Sequence, residues 1–256
     1  MTTPRFYGAT PPGVLDAALP GRLIVVEGTD GVGRSTQVSL LKEWLESRGY
    51  AVVNTGLRRS ELAGRGIERA KRGNTLDPLT LNLLYATDFS DRLERQILPA
   101  LRAGMVALVD RYIYSLMARA RVRGLSREWI ENLYGFALVP DLVVYLDIDV
   151  GHLVPRVLSS TGFDYWESGH DYLPGPDVYH NFVEHQTRLL AEFRRLAVEH
   201  VFTTIDARGS VAEVFHALCE VIEPLVQGMA TFDATQQAAM LDPGSSEFGS
   251  QLISNF

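Results

Sequence analysis

The chain contains a single cysteine, Cys219, and no long apolar run. One cysteine excludes an internal disulfide and any metal site built from several cysteines. Every apolar run is shorter than the roughly 18–20 residues that a helix needs to cross a bilayer. The first residues also lack the order of charged and then apolar residues that marks a secretory signal. These features favour a cytoplasmic protein with no membrane partner.

Lysine is almost missing as well. Only Lys42 and Lys71 are lysines among the 24 basic residues, and the acidic residues give a net charge of −7. An acidic chain does not favour a general nucleic-acid surface. The arginines nevertheless group within residues 58–72 and 111–127. Such groups suggest a small phosphorylated substrate, although solvated helix faces explain many of them equally well.

Residues 28–36 form a glycine-rich segment with the sequence Gly-Thr-Asp-Gly-Val-Gly-Arg-Ser-Thr. It matches the phosphate-binding pattern G-x-x-x-x-G-K-[ST] except at Arg34, where the pattern has lysine. A β-branched apolar run precedes it at residues 23–26, and apolar residues at helical spacing follow it. Backbone N–H groups at such a strand-to-helix turn bind anions. The segment therefore predicts a nucleoside triphosphate site, with an ordinary glycine-rich turn as the alternative.

Arg34 leaves open whether this site is fully active, modified or inactive. Arginine is a planar fork, whereas lysine is a compact point charge, so the two are not equivalent. The fork can still hold phosphate oxygens. Because arginine replaces lysine almost throughout the chain, Arg34 is also consistent with a simple cationic replacement.

Strand-like and helical patterns alternate along the chain. The strand-like runs lie at 23–27, 51–55, 106–110, 142–147 and 201–206, and the long helical patterns at 35–48, 78–101, 127–137, 178–198 and 211–226. This alternation predicts an α/β fold with a five-stranded parallel sheet and helices on both faces. We expect one domain over 21–227 with a lid at about 159–177, an extended lead-in over 1–20 and a flexible tail over 228–256.

Five segments occur in the order typical of thymidylate kinases: 24–37, 97–104, 109–115, 140–147 and 205–210. The third contains Asp110-Arg111-Tyr112 followed by Ser115, which is similar to an Asp-Arg-Tyr/His motif of that family. Together the segments resemble the family over about residues 22–225. The resemblance implies a P-loop kinase fold and a homodimer. It also implies ATP- and Mg²⁺-dependent phosphoryl transfer to a nucleoside monophosphate, with dTMP converted to dTDP as the favoured reaction.

The resemblance also implies roles for individual residues. The expected catalytic residues are Arg34, Asp110, Arg111 and Asp30. The expected ATP-site residues are Gly28, Thr29, Asp30, Gly31, Val32, Gly33, Arg34, Ser35, Thr36, Arg156 and Ala207. The expected acceptor-site residues are Asp30, Arg69, Tyr85, Phe89, Arg111 and Tyr112, and Ser35 and Asp110 are expected at Mg²⁺. From the residues alone, Asp110 and Arg111 could instead form a structural ion pair, and Tyr85 could be a core residue.

Several positions depart from the family pattern and keep the acceptor open. Phe89 and Ala120 stand where the family usually has an arginine and a glutamine at the base, and the usual acceptor-loop pattern is absent from residues 55–60. No arginine or lysine occurs in residues 157–187, an acidic and aromatic segment. Arg34 could replace a lid arginine, the acidic lid could receive Mg²⁺ or a cation, or the segment could simply pack on the domain. The alternative functions are a weak nucleotide-binding or regulatory homologue and a kinase for another acceptor.

Overall fold

The computed structural model describes residues 5–12, 19–73 and 76–231, and a five-stranded parallel sheet lies at its centre. The strands are β1 (Arg22–Glu27), β2 (Val52–Gly56), β3 (Val106–Asp110), β4 (Leu142–Asp147) and β5 (Thr203–Asp206). Their order across the sheet is β2-β3-β1-β4-β5, and all neighbours are parallel. The predicted sheet is confirmed. The last strand begins later than predicted because Val201 has a φ of 53°, outside the range of a strand.

Helices cover both faces of the sheet. They are α1 (Arg34–Ser47), α2 (Gly64–Gly73), α3 (Pro78–Arg92), α4 (Leu98–Arg102), α5 (Ile113–Val122), α6 (Arg127–Leu133), α7 (Val150–Leu158), α8 (Val178–Glu199) and α9 (Val211–Val226). Alternate side chains of β1 enter opposite cores: Leu23 and Val25 pack on one side, and Ile24 and Val26 on the other. No helix in the described part of the chain combines the length and hydropathy of a membrane span.

The helical prediction for residues 78–101 is corrected by the structure. The helix is interrupted by a π-helical turn, Leu93–Ile97, before α4 begins. Pro99 lies just beyond this turn and has no N–H to donate to the preceding turn, so regular α-helical bonding cannot continue there. The helices α2, α5 and α7 were not among the predicted elements; α7 contains Pro155, a residue that normally argues against a helix interior.

The lead-in is attached to the domain over the residues that the structure describes. Phe6 forms an antiparallel bridge with Leu138, and the Tyr7 hydroxyl is hydrogen-bonded to that of Tyr114. The described residues 5–12 therefore pack against the body of the protein, with one bridge residue followed by bends and a turn. The predicted flexible tail falls almost entirely within residues 232–256, which lie outside the described residues.

Candidate active site

The glycine-rich segment forms the turn between β1 and α1. Gly28, Gly31 and Gly33 have φ values of 152°, 80° and 97°, which side chains with a Cβ rarely adopt. A Cβ on Gly31 would also collide with the Val157 side chain, whereas one on Gly33 would meet nothing within 4 Å. The turn is thus closed on the α7 side and open above Gly33, at the positive end of the α1 dipole.

Arg34 lies inside this turn, with only 6% of its side chain exposed. Its Nε donates to Asp110, and its Nη1 donates to the carbonyls of Gly28 at 2.5 Å and Thr29 at 3.0 Å. These contacts tie the guanidinium to the backbone of the loop and to the end of β3. Among the described residues Nη2 has no hydrogen-bond partner, and it is not one of the nitrogens sealed from solvent.

Asp110 joins the loop to the end of β3. The Ser35 hydroxyl donates to the second Asp110 oxygen at 3.1 Å. The hydroxyl and the carboxylate are hard oxygen donors, and Mg²⁺ in phosphate sites commonly takes one or two such groups together with phosphate oxygens. The adjacency of Ser35 and Asp110 therefore fits a magnesium ion held jointly with a nucleotide.

A buried carboxylate, Asp30, pairs with two arginines on the acceptor side of the loop. Arg111 contacts one of its oxygens and Arg119, on α5, contacts the other. Burial and the nearby Arg119 lower the pKa of Arg111 to about 9, so Arg111 stays cationic at pH 7. The cluster holds the two guanidinium groups side by side, although their like charges repel each other.

The turn that carries Arg111 is fixed from below by Glu27, a fully buried residue at the end of β1. Its carboxylate accepts from the backbone N–H of Tyr112 at 2.8 Å, and from the N–H and the hydroxyl of Ser115 at 3.2 and 2.6 Å. Arg111 itself has a φ of 71°, a left-handed conformation that costs free energy. Burial raises the pKa of Glu27, and its hydrogen bonds to Ser115 and Tyr112 partly oppose that rise.

Two small adjoining cavities continue from Arg111 toward α3 and the lid. One, of about 100 Å³, is lined by Leu57, Arg58, Lys71, Tyr85, Arg111, Arg119, Asp164 and Glu167. The other, of about 40 Å³, is lined by Lys71, Leu81, Asn82, Tyr85, Leu116, Arg119, Ala120, Arg123 and Trp166. The first is rich in cations and suits a phosphate, and the second, with aromatic and apolar walls, suits a flat ring.

Comparison with known proteins gives this site a family. The thymidylate kinase family model matches residues 26–166, more than half of the chain. A probable thymidylate kinase 2 of Saccharolobus solfataricus is 37% identical over 196 residues, covering 76% of this chain and 92% of the relative. The chain belongs to the thymidylate kinase family. The predicted family, fold and enzyme class are therefore confirmed.

Two further relatives show how far the similarity extends along the chain. A probable thymidylate kinase of Thermococcus kodakarensis is 41% identical over 53% of this chain and 71% of the relative. A thymidylate kinase of Shouchella clausii is 32% identical over 80% of this chain and 96% of the relative. The similarity thus extends over most of the domain, including the segment that departs from the expected lid sequence.

In this thymidylate kinase family member, some of the residues expected at the acceptor site line the cavities and others do not. Tyr85 and Arg111 line the cavities, and their expected roles toward the acceptor stay predictions. Phe89 does not line them: it is fully buried and packs edge-on against Tyr112 at 4.9 Å between ring centroids. Phe89 lies one turn beyond Tyr85 on α3, about 6 Å farther along the helix axis. At that level its ring lies in the core and not in the cavity. The expectation that Phe89 faces the acceptor base is corrected.

Tyr112 and Arg69 also lie away from the cavities. Tyr112 is fully buried, and its hydroxyl donates to the Leu138 carbonyl at 2.8 Å. Arg69 is exposed on α2, whereas Ile67 on the same helix faces the core. Residues four apart share a helix face, so Lys71, and not Arg69, lies on the inward face of α2.

The residues expected near the adenine of the donor converge at the far side of the loop. Arg156 donates to the Val32 carbonyl at 3.3 Å, and to the carbonyls of Arg208 and Gly209 at 3.2 and 3.3 Å. Ala207 is buried beside them, with its N–H bonded to Asp147. Arg156 thus connects α7, the glycine-rich loop and the turn after β5.

The lid packs on the domain, as one of the sequence-based alternatives predicted. Arg123 on α5 donates to both oxygens of Asp171, at 2.7 and 3.0 Å, and to the Trp166 carbonyl at 3.1 Å. The Trp166 ring is 9% exposed, and its Nε1 donates to the Lys71 carbonyl at 3.0 Å. The acidic lid therefore receives cationic side chains of its own chain.

Sequence reasoning gave no individual role to four residues that line the cavities: Lys71, Arg119, Arg123 and Trp166. Two signals pointed toward them. The arginine groups at 58–72 and 111–127 both border the cavities, and Lys71 is one of only two lysines in the chain.

Proposed function

We propose that this protein transfers the γ-phosphoryl group of ATP to dTMP, giving ADP and dTDP. The observation that carries the proposal is the continuity of the site. Arg34 and Ser35 in the loop both contact Asp110, and the next residue, Arg111, reaches Asp30 and the acceptor cavity. One connected set of side chains thus extends from the donor loop to the acceptor.

Phosphoryl transfer depends mainly on positioning and on cations around the transferring group. Loop N–H groups and the Nη2 of Arg34 would bind the donor phosphates, because the other nitrogens of Arg34 already hold the loop. Arg111 would bind the acceptor phosphate and bring its attacking oxygen in line with the donor. As that oxygen bonds to the γ-phosphorus, the bond to ADP breaks and the electron pair leaves with ADP.

We propose Ser35 and Asp110 as the protein ligands of Mg²⁺, which would screen negative charge on the donor phosphates. Asp110 would have one oxygen for this role, since Arg34 engages the other. Asp30 would approach the sugar of the acceptor while Arg111 and Arg119 fix its orientation. We further propose that the protein acts as a homodimer, on family membership alone.

A coupled assay of ADP release across nucleoside and deoxynucleoside monophosphates tests this function. We expect Mg²⁺-dependent turnover with dTMP as the preferred acceptor. The engagement of Arg34 by Asp110 and two loop carbonyls makes a weak nucleotide-binding homologue the second candidate. ATP binding by calorimetry, without turnover of any acceptor, would overturn the kinase proposal and support that candidate.

A further inference from the structure

The smaller of the two cavities on the acceptor side has an unusual set of polar groups. Its walls contain Lys71, Asn82, Arg119 and Arg123, and no carboxylate among the described residues lines it. Ammonium and guanidinium groups only donate hydrogen bonds. Asn82 also has an amide oxygen that accepts, but the three cations only donate, so this cavity favours a ligand whose edge carries hydrogen-bond acceptors.

Most of these donors are already engaged. Arg119 pairs with Asp30, Arg123 pairs with Asp171, and the Asn82 amide donates to the Pro78 carbonyl at 2.8 Å. Lys71 differs from them, since its Nζ has no hydrogen-bond or ion-pair partner among the described residues. It lies 5.5 Å from the centre of the Trp166 ring. The ammonium thus lies over the aromatic wall of the cavity, and no described residue engages its N–H groups.

The Tyr85 hydroxyl, which also lines this cavity, does not distinguish a carbonyl from an amino group on a base. A phenol both donates and accepts hydrogen bonds, so it can satisfy a carbonyl or an amino group on a base. The ammonium of Lys71 has no lone pair and can satisfy only a carbonyl. Phe89, which could have faced the base, lies in the core instead. Among the cations of this cavity, Lys71 is therefore the one without a hydrogen-bond or ion-pair partner in the described part of the chain, and it favours a carbonyl-bearing over an amino-bearing base.

We propose that Lys71 is the residue that selects the acceptor's base, by donating a hydrogen bond to a ring carbonyl and leaving an amino group unsatisfied. The chemical class selected is a dioxopyrimidine nucleotide over an aminopyrimidine nucleotide. This inference rests on the proposed acceptor site. The 40 Å³ cavity is smaller than a pyrimidine, and the flexible lysine stem allows its walls to adjust when a base enters.

Three acceptors and two lysine variants test the proposal. Thymine and uracil carry two ring carbonyls, whereas cytosine has an amino group in place of one. Lys71→Met should lower kcat/KM for dTMP and dUMP alike by about 10- to 100-fold, the effect of one charge-assisted hydrogen bond, and should leave dCMP nearly unchanged. Lys71→Arg should retain part of the preference. The matched control is Lys42→Met, which removes the other lysine from an exposed pair with Glu46 on α1.

An equal loss for all three acceptors would assign Lys71 to the phosphate and overturn the proposal, as would an unchanged ratio of dTMP to dCMP. Calorimetric Kd values for the same nucleotides keep the test independent of turnover. If the native protein binds dTMP in preference to dCMP but phosphorylates neither, the kinase proposal fails. The ratio of the Kd values for dTMP and dCMP in Lys71→Met still tests the proposal that Lys71 selects the base. Circular dichroism melting confirms that each variant is folded.

Discussion

The Arg34 side chain connects two parts of the site, the end of β3 and the backbone of the glycine-rich loop. A lysine would have only one ammonium group for both contacts. The three bonds that Arg34 donates reach Asp110 and the carbonyls of Gly28 and Thr29. The sequence predicted a cation in the loop, and that prediction depended only on local spacing. It could not predict the contact between Arg34 and Asp110, because that contact needs β3 beside β1, which is a property of the assembled sheet.

Glu27 supports the turn that presents Arg111. Replacing it with alanine leaves the N–H groups of Tyr112 and Ser115 unpaired in a dry environment. We expect Glu27→Ala to lower the free energy of unfolding by about 2–4 kcal/mol and to raise the KM for the acceptor. Urea unfolding and steady-state kinetics measure both effects.

Two further variants serve as comparisons for Glu27→Ala. Glu27→Gln keeps an oxygen that can accept from both N–H groups, so it should lose less stability than Glu27→Ala. Glu43→Ala, on the exposed side of α1, should change stability by no more than about 0.5 kcal/mol. Equal stability of Glu27→Ala and the native protein would contradict the assigned support.

The lowered pKa of Lys71 predicts that stability depends on pH. Burial lowers its pKa to about 8, from an ordinary value of 10.5. The charged and titratable groups facing it are Arg58, Tyr85, Arg119, Arg123, Asp164 and Glu167. Between about pH 8 and 10.5 the unfolded chain binds the proton that the native Lys71 has released, so this residue's contribution to stability rises with pH.

The same titration should affect substrate selection. As pH rises through about 8, the ammonium becomes a neutral amine that can also accept a hydrogen bond. We expect the preference for dTMP over dCMP to decline over that range in the native protein, and not in Lys71→Arg. A preference that is constant from pH 7 to 9.5 in the native protein would contradict the assignment.

Among the elements, strands were predicted more accurately than helices. Four of the five predicted strands agree with the structure to within one residue at each end, because buried parallel strands are short continuous apolar runs. The helix α5 was missed because it begins only three residues after β3, directly after the Asp110-Arg111-Tyr112 segment. The inward face of α2 is marked by Ile67 and Lys71, and a lysine there does not contribute to an apolar pattern.

One buried ion pair, together with hydrogen bonds to α2 and α8, holds the lid in position. Arg123 and Asp171 have side chains that are 8% and 14% exposed. We expect Asp171→Ala to lower the free energy of unfolding by about 3 kcal/mol, because it leaves the Arg123 charge unpaired. It should also expose residues near Trp166 to limited proteolysis.

The exposed pair between Glu184 and Arg188 on α8 provides the control for the lid. Their side chains are 54% and 48% exposed, so Glu184→Ala should cost no more than about 0.5 kcal/mol. If the two alanine variants lose equal stability and resist protease equally, the ion pair does not hold the lid.

For the whole molecule, the proposed donor and acceptor sites meet where β1 and β3 end side by side at the centre of the sheet. The alternation of strands and helices predicted this edge as the site, and it brought Asp30, Asp110 and Arg111 together as expected. Tyr85 on α3 was expected at the acceptor, but the other cavity walls were not predicted, since Lys71, Arg119 and Trp166 come from α2, α5 and the lid. Their convergence depends on how helices pack over the edge, which local periodicity does not encode.

The most direct test of the account is the steady-state turnover of dTMP with ATP and Mg²⁺ by the native protein, Arg34→Lys and Arg34→Ala. The account predicts that the native protein is active, that lysine retains a substantial part of kcat, and that alanine loses about 100- to 1,000-fold, as for removal of one transition-state donor. Alanine turnover equal to that of the native protein would show that Arg34 does not hold the donor phosphates, and would contradict the central claim.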